Sequence, residues 1–288
     1  MADRPGSLLR SWLQRQLSEA DYGWLMEQLE KLRQDPGDRS LHIALGMAPR
    51  RLGKADLELS EADLADAEAA RPGWDPRGWS LDEAARILIL LETGSANTSF
   101  AERFTQLCRT SDVGEAIALY RGLPLYADPE SLEAQAAEGV RSNMRAVFEA
   151  VAHNNPYPRE VFDEDRWNQM VLKALFVDST LAPIQGLEAR ANPKLAAILI
   201  DYAHERWAAG RKVSPELWRC VGPFAVGALL PNLKRVLDEG DATERRAAVL
   251  ALSASPDAEA KALLSDAADI VAEVESGELT WDRLAAGG

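Results

Sequence analysis

Helix-start signals recur along this chain at intervals too short for any one helix to bury its own apolar face. That spacing constrains the fold more than any other feature. Asp128-Pro129, Asn192-Pro193 and Ser214-Pro215 each set a capping side chain before a proline at the first helical position, where a helix leaves the N–H unbonded anyway. Ser80-Leu81-Asp82-Glu83 reads as a capping box, with Ser80 as N-cap and Glu83 at N3. Apolar residues between such signals fall at helical spacing, as in Leu8, Leu9, Trp12, Leu13 and Leu17, and no stretch alternates convincingly as a strand. The apolar content is mostly alanine and leucine, which lose little freedom in a helix. Helices this short need neighbours. The expected fold is therefore all-α, an irregular α-solenoid of stacked helix pairs.

The signals place individual helices. The first spans about 6–17, and the second opens at Ser18 and runs to about Arg33, ended by Asp35-Pro36-Gly37-Asp38. A third covers about Arg39 to Met47, stopped near Pro49. A helix at 60–71 precedes the breaker cluster Arg71-Pro72-Gly73-Trp74-Asp75-Pro76-Arg77-Gly78-Trp79, whose two tryptophans are expected to tuck back onto the body. Leu81–Glu92 carries Ile and Leu on several sides and reads as an interior helix. Two short helices follow, at 100–109 and 112–121. A helical region then runs from Asp128 to His153 with a break expected at Gly139, and later helices run to about Ala209 and Cys220. Residues 229–252 pair an amphipathic helix, a Glu-Gly-Asp turn and a helix opening with Arg before an Ala-rich run, a HEAT-like junction. The chain is expected to form one domain over 1–288, with a subdivision at 127/128 as an option.

Charge and composition exclude several functions. A net charge of −14 opposes wrapping of a nucleic-acid backbone and docking on an anionic membrane. Residues 56–76 carry seven acids and one Arg, read as solvated helix faces. Two cysteines, Cys108 and Cys220, are too few for a disulfide framework or a zinc site and fit as small core residues. No segment has the run of apolar residues that a membrane span requires. The start Met1-Ala2-Asp3-Arg4-Pro5-Gly6 lacks the apolar core of a signal peptide, so a cytoplasmic location is expected. P-loop, Rossmann and nucleophile-elbow motifs are absent from the sequence.

The stretch from His153 to Trp207 asks for more than packing. It opens on the turn-rich His153-Asn154-Asn155-Pro156-Tyr157-Pro158. Plotted at 100° per residue, Trp167 to Val177 is apolar around most of its circumference, with Gln169 and Lys173 on a narrow polar strip. Asn168 falls on the dry face, where an unpaired amide costs roughly 1–3 kcal/mol and so demands a partner. A loop carbonyl, a neighbouring helix end or the Asn154–Pro158 turn would serve; a ligand is the alternative. Arg206 falls on the apolar face of the next helix beside Leu195 and Tyr202, and must snorkel outward or meet a carboxylate such as Asp163, Glu164 or Glu188, or else an anionic ligand. Asp201 and His204 sit at i, i+3, a spacing found in metal sites, but one such pair is too little to imply a metal. No cofactor is implied.

The residues Asn155-Pro156-Tyr157-Pro158, Phe162 and Trp167-Asn168-Gln169-Met170-Val171-Leu172-Lys173-Ala174-Leu175-Phe176 resemble the EboA family of metabolite-traffic proteins. So do Leu187-Glu188-Ala189-Arg190-Ala191-Asn192-Pro193 and Asp201-Tyr202-Ala203-His204-Glu205-Arg206, the whole signature lying within 153–207. The resemblance implies a bacterial protein encoded beside a UbiA-type prenyltransferase, a TatD-like hydrolase, a dehydroquinate-synthase-like protein and a sugar-phosphate-isomerase-like protein. It also implies a part in processing or export of a secondary-metabolite precursor, and it brings no catalytic residues. The expected function is a non-catalytic protein binding a metabolite or a partner enzyme of that cluster through His153, Asn155, Tyr157, Trp167, Asn168, Lys173, Arg190, Asp201, His204 and Arg206. Two alternatives stand beside it. One is a small-molecule enzyme using a polar pocket around Asn168, Lys173, His204 and Arg206; the other is a pure HEAT-like scaffold.

Overall fold

A computed structural model describes residues 4–35, 37–93 and 99–287. Met1 to Asp3 of the N-terminal reading and Pro36 of the first breaker lie outside the described residues. Among those described, every named element is an α- or 3₁₀-helix, and the chain divides into two compact units, Met1–Asp163 and Glu164–Gly288.

The first unit holds α1 (Arg4–Gln16), α2 (Glu19–Gln34), α3 (Asp38–Leu52), α4 (Glu61–Ala70), α5 (Leu81–Glu92), α6 (Phe100–Thr110), α7 (Val113–Arg121), α8 (Glu133–Arg141), α9 (Arg145–Ala152) and α10 (Tyr157–Val161). Helix α5 is its hub, packed against α1, α2, α3 and α7 and buried from Leu81 almost to its end, as its Ile- and Leu-rich sides predict. Trp74 and Trp79 tuck back as expected. Both are buried, Trp74 lying 5.4 Å from Trp12 and 6.1 Å from Trp79 between ring centroids.

One helix runs further than its sequence predicts. Helix α3 continues through Pro49 to Leu52. Proline has no N–H to offer the carbonyl four residues back, which is Leu45. Arg86 of α5 supplies the donor: its Nε bonds the Leu45 oxygen at 3.1 Å. The same guanidinium, 3% exposed, pairs with Asp82 at 2.9 Å and approaches Glu115 of α7 at 3.9 Å. A buried arginine is tolerable only when paired in this way.

Two other expectations yield. Asp128 takes a left-handed conformation (φ 50°) and is followed by a 3₁₀ turn, Pro129–Leu132, so α8 starts later than its cap-plus-proline signal suggests. Gly139 does not break the helix; it lies within α8, and the break comes at 142–144. A Cβ on Gly139 would stand 2.8 Å from both Tyr120 Cζ and Val151 Cγ2, so the missing side chain is what lets α8 pack so closely.

The second unit holds α11 (Glu164–Phe176), α12 (Pro193–Ala208), α13 (Leu217–Val221), α14 (Leu230–Glu239), α15 (Ala242–Ser253), α16 (Ala258–Leu263), α17 (Ala268–Glu275) and α18 (Trp281–Ala286). Asn192 caps α12 as read, accepting from Leu195 N at 2.8 Å. Ser214-Pro215 opens a turn instead, and α13 begins only at Leu217. Helices α14 and α15 form the expected pair across Gly240-Asp241, where Asp241 accepts from Glu244 N at 3.0 Å and its own N–H donates to Glu244 at 2.8 Å. Helix α15 is this unit's hub, with α13, α14, α16, α17 and α18 around it. Helix α11 is less enclosed than its plot suggests, since Phe176 is 59% exposed.

Replacing Arg86 with Ala strands a buried carboxylate at Asp82 and a carbonyl at Leu45. The expected loss is about 3–5 kcal/mol, read from chemical denaturation. A second expectation concerns Asp63 in the α4 cap. Burial pushes its carboxyl up, but the Ser60 hydroxyl and N–H and the Arg15 guanidinium outweigh burial and hold it below the ordinary value. A depressed folded-state pKa gives stability that is present above the unfolded value, about 4, and is lost as pH falls through the folded one. Asp63→Asn should therefore cost about 1 kcal/mol at pH 7, with the deficit vanishing toward pH 2 in a denaturation series.

Candidate functional site

Within the first unit a cleft of about 370 Å³ opens where the α4–α5 loop, the start of α5, the end of α7 and the end of α9 converge. Each wall has a local cause. Trp74 and Trp79, both buried, pin the loop at two points and leave Asp75 and Arg77 between them. Asp75 accepts from Arg77 Nε at 2.9 Å and from its Nη2 at 2.8 Å, which favours the charged guanidinium and raises its pKa further. Glu83, at N3 of α5, takes the Ser80 N–H at 3.0 Å and Arg121 Nη1 at 2.5 Å on the same oxygen, Oε2. Arg121 also reaches the Gly78 carbonyl at 2.9 Å, tying the loop to α7. On α9, Glu149 receives Arg145 Nε at 2.6 Å. Trp79, Ile117, Ala146 and Ala150 supply the apolar lining.

Two of the residues expected from sequence line this cleft, His153 and Asn155, together with Asn154. His153 ends α9, its ring edge-on to Phe148 at 6.5 Å. Asn154 takes φ 49°, a left-handed conformation that Asn tolerates better than most residues. Asn155 is 3% exposed and holds the turn: its Nδ2 donates to the Tyr120 and Ala150 carbonyls at 3.1 and 3.2 Å, and its Oδ1 accepts from Tyr157 N at 3.0 Å. Tyr157 is buried, its hydroxyl donating to Pro129 O at 2.6 Å.

The other seven expected residues belong to the second unit. Asn168, 1% exposed, does have a partner, and it is a neighbouring helix end. Its Oδ1 accepts from Asn192 Nδ2 at 2.9 Å and its Nδ2 donates to Asn192 Oδ1 at 3.3 Å, so two amides satisfy each other beneath the cap of α12. Trp167 is fully buried, with the Arg190 guanidinium 4.7 Å from its ring centroid. Its Nε1 is buried with no hydrogen-bond partner. Arg206 snorkels to the end of its own helix, donating from Nε to Lys212 O at 2.9 Å, while Glu188, one of its proposed partners, pairs with Arg219. Lys173 is half-buried and Asp201 exposed. His204 is exposed too, its Nε2 lying 2.6 Å from Asn232 Oδ1. Among the described residues, no three His, Cys, Asp or Glu side chains are grouped to hold a metal ion.

Sequence reasoning missed Asp75, Arg77, Glu83, Arg121 and Glu149. Glu83 carried a signal, but as a capping residue. The breaker cluster carried another: two opposite charges, Asp75 and Arg77, lie between tryptophans that are both buried, Arg77 exposed and Asp75 mostly covered.

The Asn168–Asn192 pairing implies a non-additive thermodynamic cycle. Asn168→Ala and Asn192→Ala should each destabilise by about 1–3 kcal/mol, and the double variant by clearly less than their sum, in denaturation measurements on all four proteins. Additive losses would show that the amides do not satisfy each other.

A model of the family described as metabolite traffic protein EboA matches residues 6–222, a span that contains the cleft and the Asn168–Asn192 pair. No curated protein and no solved structure matches the chain. On the strength of a match over most of its length, the chain belongs to the EboA family.

Proposed function

We propose that this protein binds a small metabolite in the cleft of its first unit without transforming it, and so assists processing or export of a secondary-metabolite precursor, passing it to a partner enzyme. The observation that carries the reading is the cleft itself. Its volume of about 370 Å³ lies within the range of small-molecule sites, roughly 300–1,000 Å³. Its polar groups converge from five chain segments, several of them held in place by buried tryptophans and ion pairs, which is the preorganisation that binding rewards. The family's description as a metabolite-traffic protein points the same way.

A binding role without chemistry fits the state of the reactive groups. Burial pushes both Cys108 and Cys220 up to about 12, so at neutral pH neither is a thiolate nucleophile. Asp75 and Glu83 are each already engaged by a guanidinium, at 2.8 and 2.5 Å.

The test uses the intact chain. The protein is incubated with a small-molecule extract of its source cells, separated by gel filtration and denatured, and retained compounds are identified by mass spectrometry. A compound should be retained unaltered, and retention should fall at least tenfold in an Arg77→Ala/Glu149→Ala variant whose melting curve remains cooperative. Retention of nothing, or equal retention by that variant, defeats the reading.

A further inference from the structure

The charges lining the cleft narrow what it can hold. Three carboxylates at its walls are already neutralised: Asp75 by Arg77, Glu83 by Arg121, and Glu149 by Arg145 one turn earlier on α9. A phosphate or carboxylate could reach Arg77 or Arg121 only beside the carboxylate each already holds, at 2.8 and 2.5 Å, and the like charge there offsets the guanidinium's attraction. A cation meets the converse difficulty, because each acid has its guanidinium. The fourth lining acid, Asp56, is exposed, and solvent and salt weaken its pull. Neither sign of charge gains much here.

Hydroxyl groups gain more. A guanidinium carries five N–H donors and a carboxylate about four acceptor positions, so an ion pair leaves capacity on both partners. Arg77 meets Asp75 through Nε and Nη2, and Arg121 meets Glu83 and Gly78 through Nη1. Both bonds to Glu83 fall on Oε2, which leaves acceptor capacity on Oε1. A ligand hydroxyl both donates and accepts, and can use these groups without breaking a pair. Trp79 and Ile117 offer apolar surface to the C–H face of such a ligand.

Resting on the cleft as the binding site proposed above, we infer that its ligand is an uncharged, hydroxyl-rich molecule of sugar or polyol size, held between the Asp75–Arg77 and Glu83–Arg121 pairs. The test is calorimetric titration and saturation-transfer NMR on the intact chain with four probes: D-mannitol, myo-inositol, inorganic phosphate and putrescine. At least one polyol should bind more tightly than phosphate or putrescine. Its affinity should fall at least tenfold in Asp75→Asn/Arg77→Gln, a substitution confined to a partly exposed loop pair, with folding checked by thermal melt. Tighter binding of phosphate or putrescine overturns the inference, as does polyol binding that the variant leaves unchanged. If no polyol binds while the extract experiment still yields a compound lost on cleft substitution, the ligand class is wrong and the binding site stands. If neither experiment yields a ligand, both fall.

Discussion

The first unit depends on one buried guanidinium. Arg86 satisfies the carbonyl that Pro49 leaves without a donor, pairs with Asp82 a turn earlier, and reaches toward Glu115 on α7. Three helices are thereby tied to one side chain at the centre of the hub. The arrangement is costly to disturb, because removal of Arg86 leaves both the buried Asp82 carboxylate and the Leu45 carbonyl without it. It also bears on the cleft. Glu83 lies three residues before Arg86 on α5, and its bond to Arg121 brings the end of α7 to the cleft wall. The register that Arg86 sets for α5 is the register in which Glu83 meets its partner.

The second unit solves the same problem with amides and close packing. Asn168 is buried and Asn192 partly so, and each supplies what the other lacks, while Asn192 still caps α12. A residue that serves as helix cap and as buried partner at once has little latitude for replacement. This explains why the stretch reads as unusual in sequence. Two of its polar residues, Asn168 and Asn192, meet each other in packing between segments that are 24 positions apart.

What sequence disclosed follows from the range over which each interaction acts. The caps at Ser18, Ser80 and Asn192 are local, and each opens its helix where read. The interior character of α5 and the burial of Trp74 and Trp79 follow from composition, since so many large apolar groups have nowhere else to go. Pro49 misled because its rescue comes from Arg86, far along the chain. Gly139 looked like a breaker because its neighbours Tyr120 and Val151 could not be known. Arg206 was open to snorkelling, a carboxylate or an anionic ligand, and it snorkels to a carbonyl six residues on. The cleft was the least legible feature. Its residues run from Asp56 to Asn155, and of the expected binding residues only His153 and Asn155 line it.

The family match and the architecture end at different places, and the difference has a physical meaning. The matched span stops at Gly222, just beyond α13, whereas the second unit continues to its hub α15. A Cβ on Gly222 would lie 2.7 Å from the Ala251 carbonyl oxygen and 2.8 Å from its Cα, so the last matched residue is moulded against backbone that lies outside the match. Helix α13 likewise packs on α15, and its Leu217, Trp218, Cys220 and Val221 are buried. The helices beyond residue 222 are thus not an appendage to a finished domain. They complete the core on which α13, a shared family element, depends, so the matched segment of this unit lacks a full core without them.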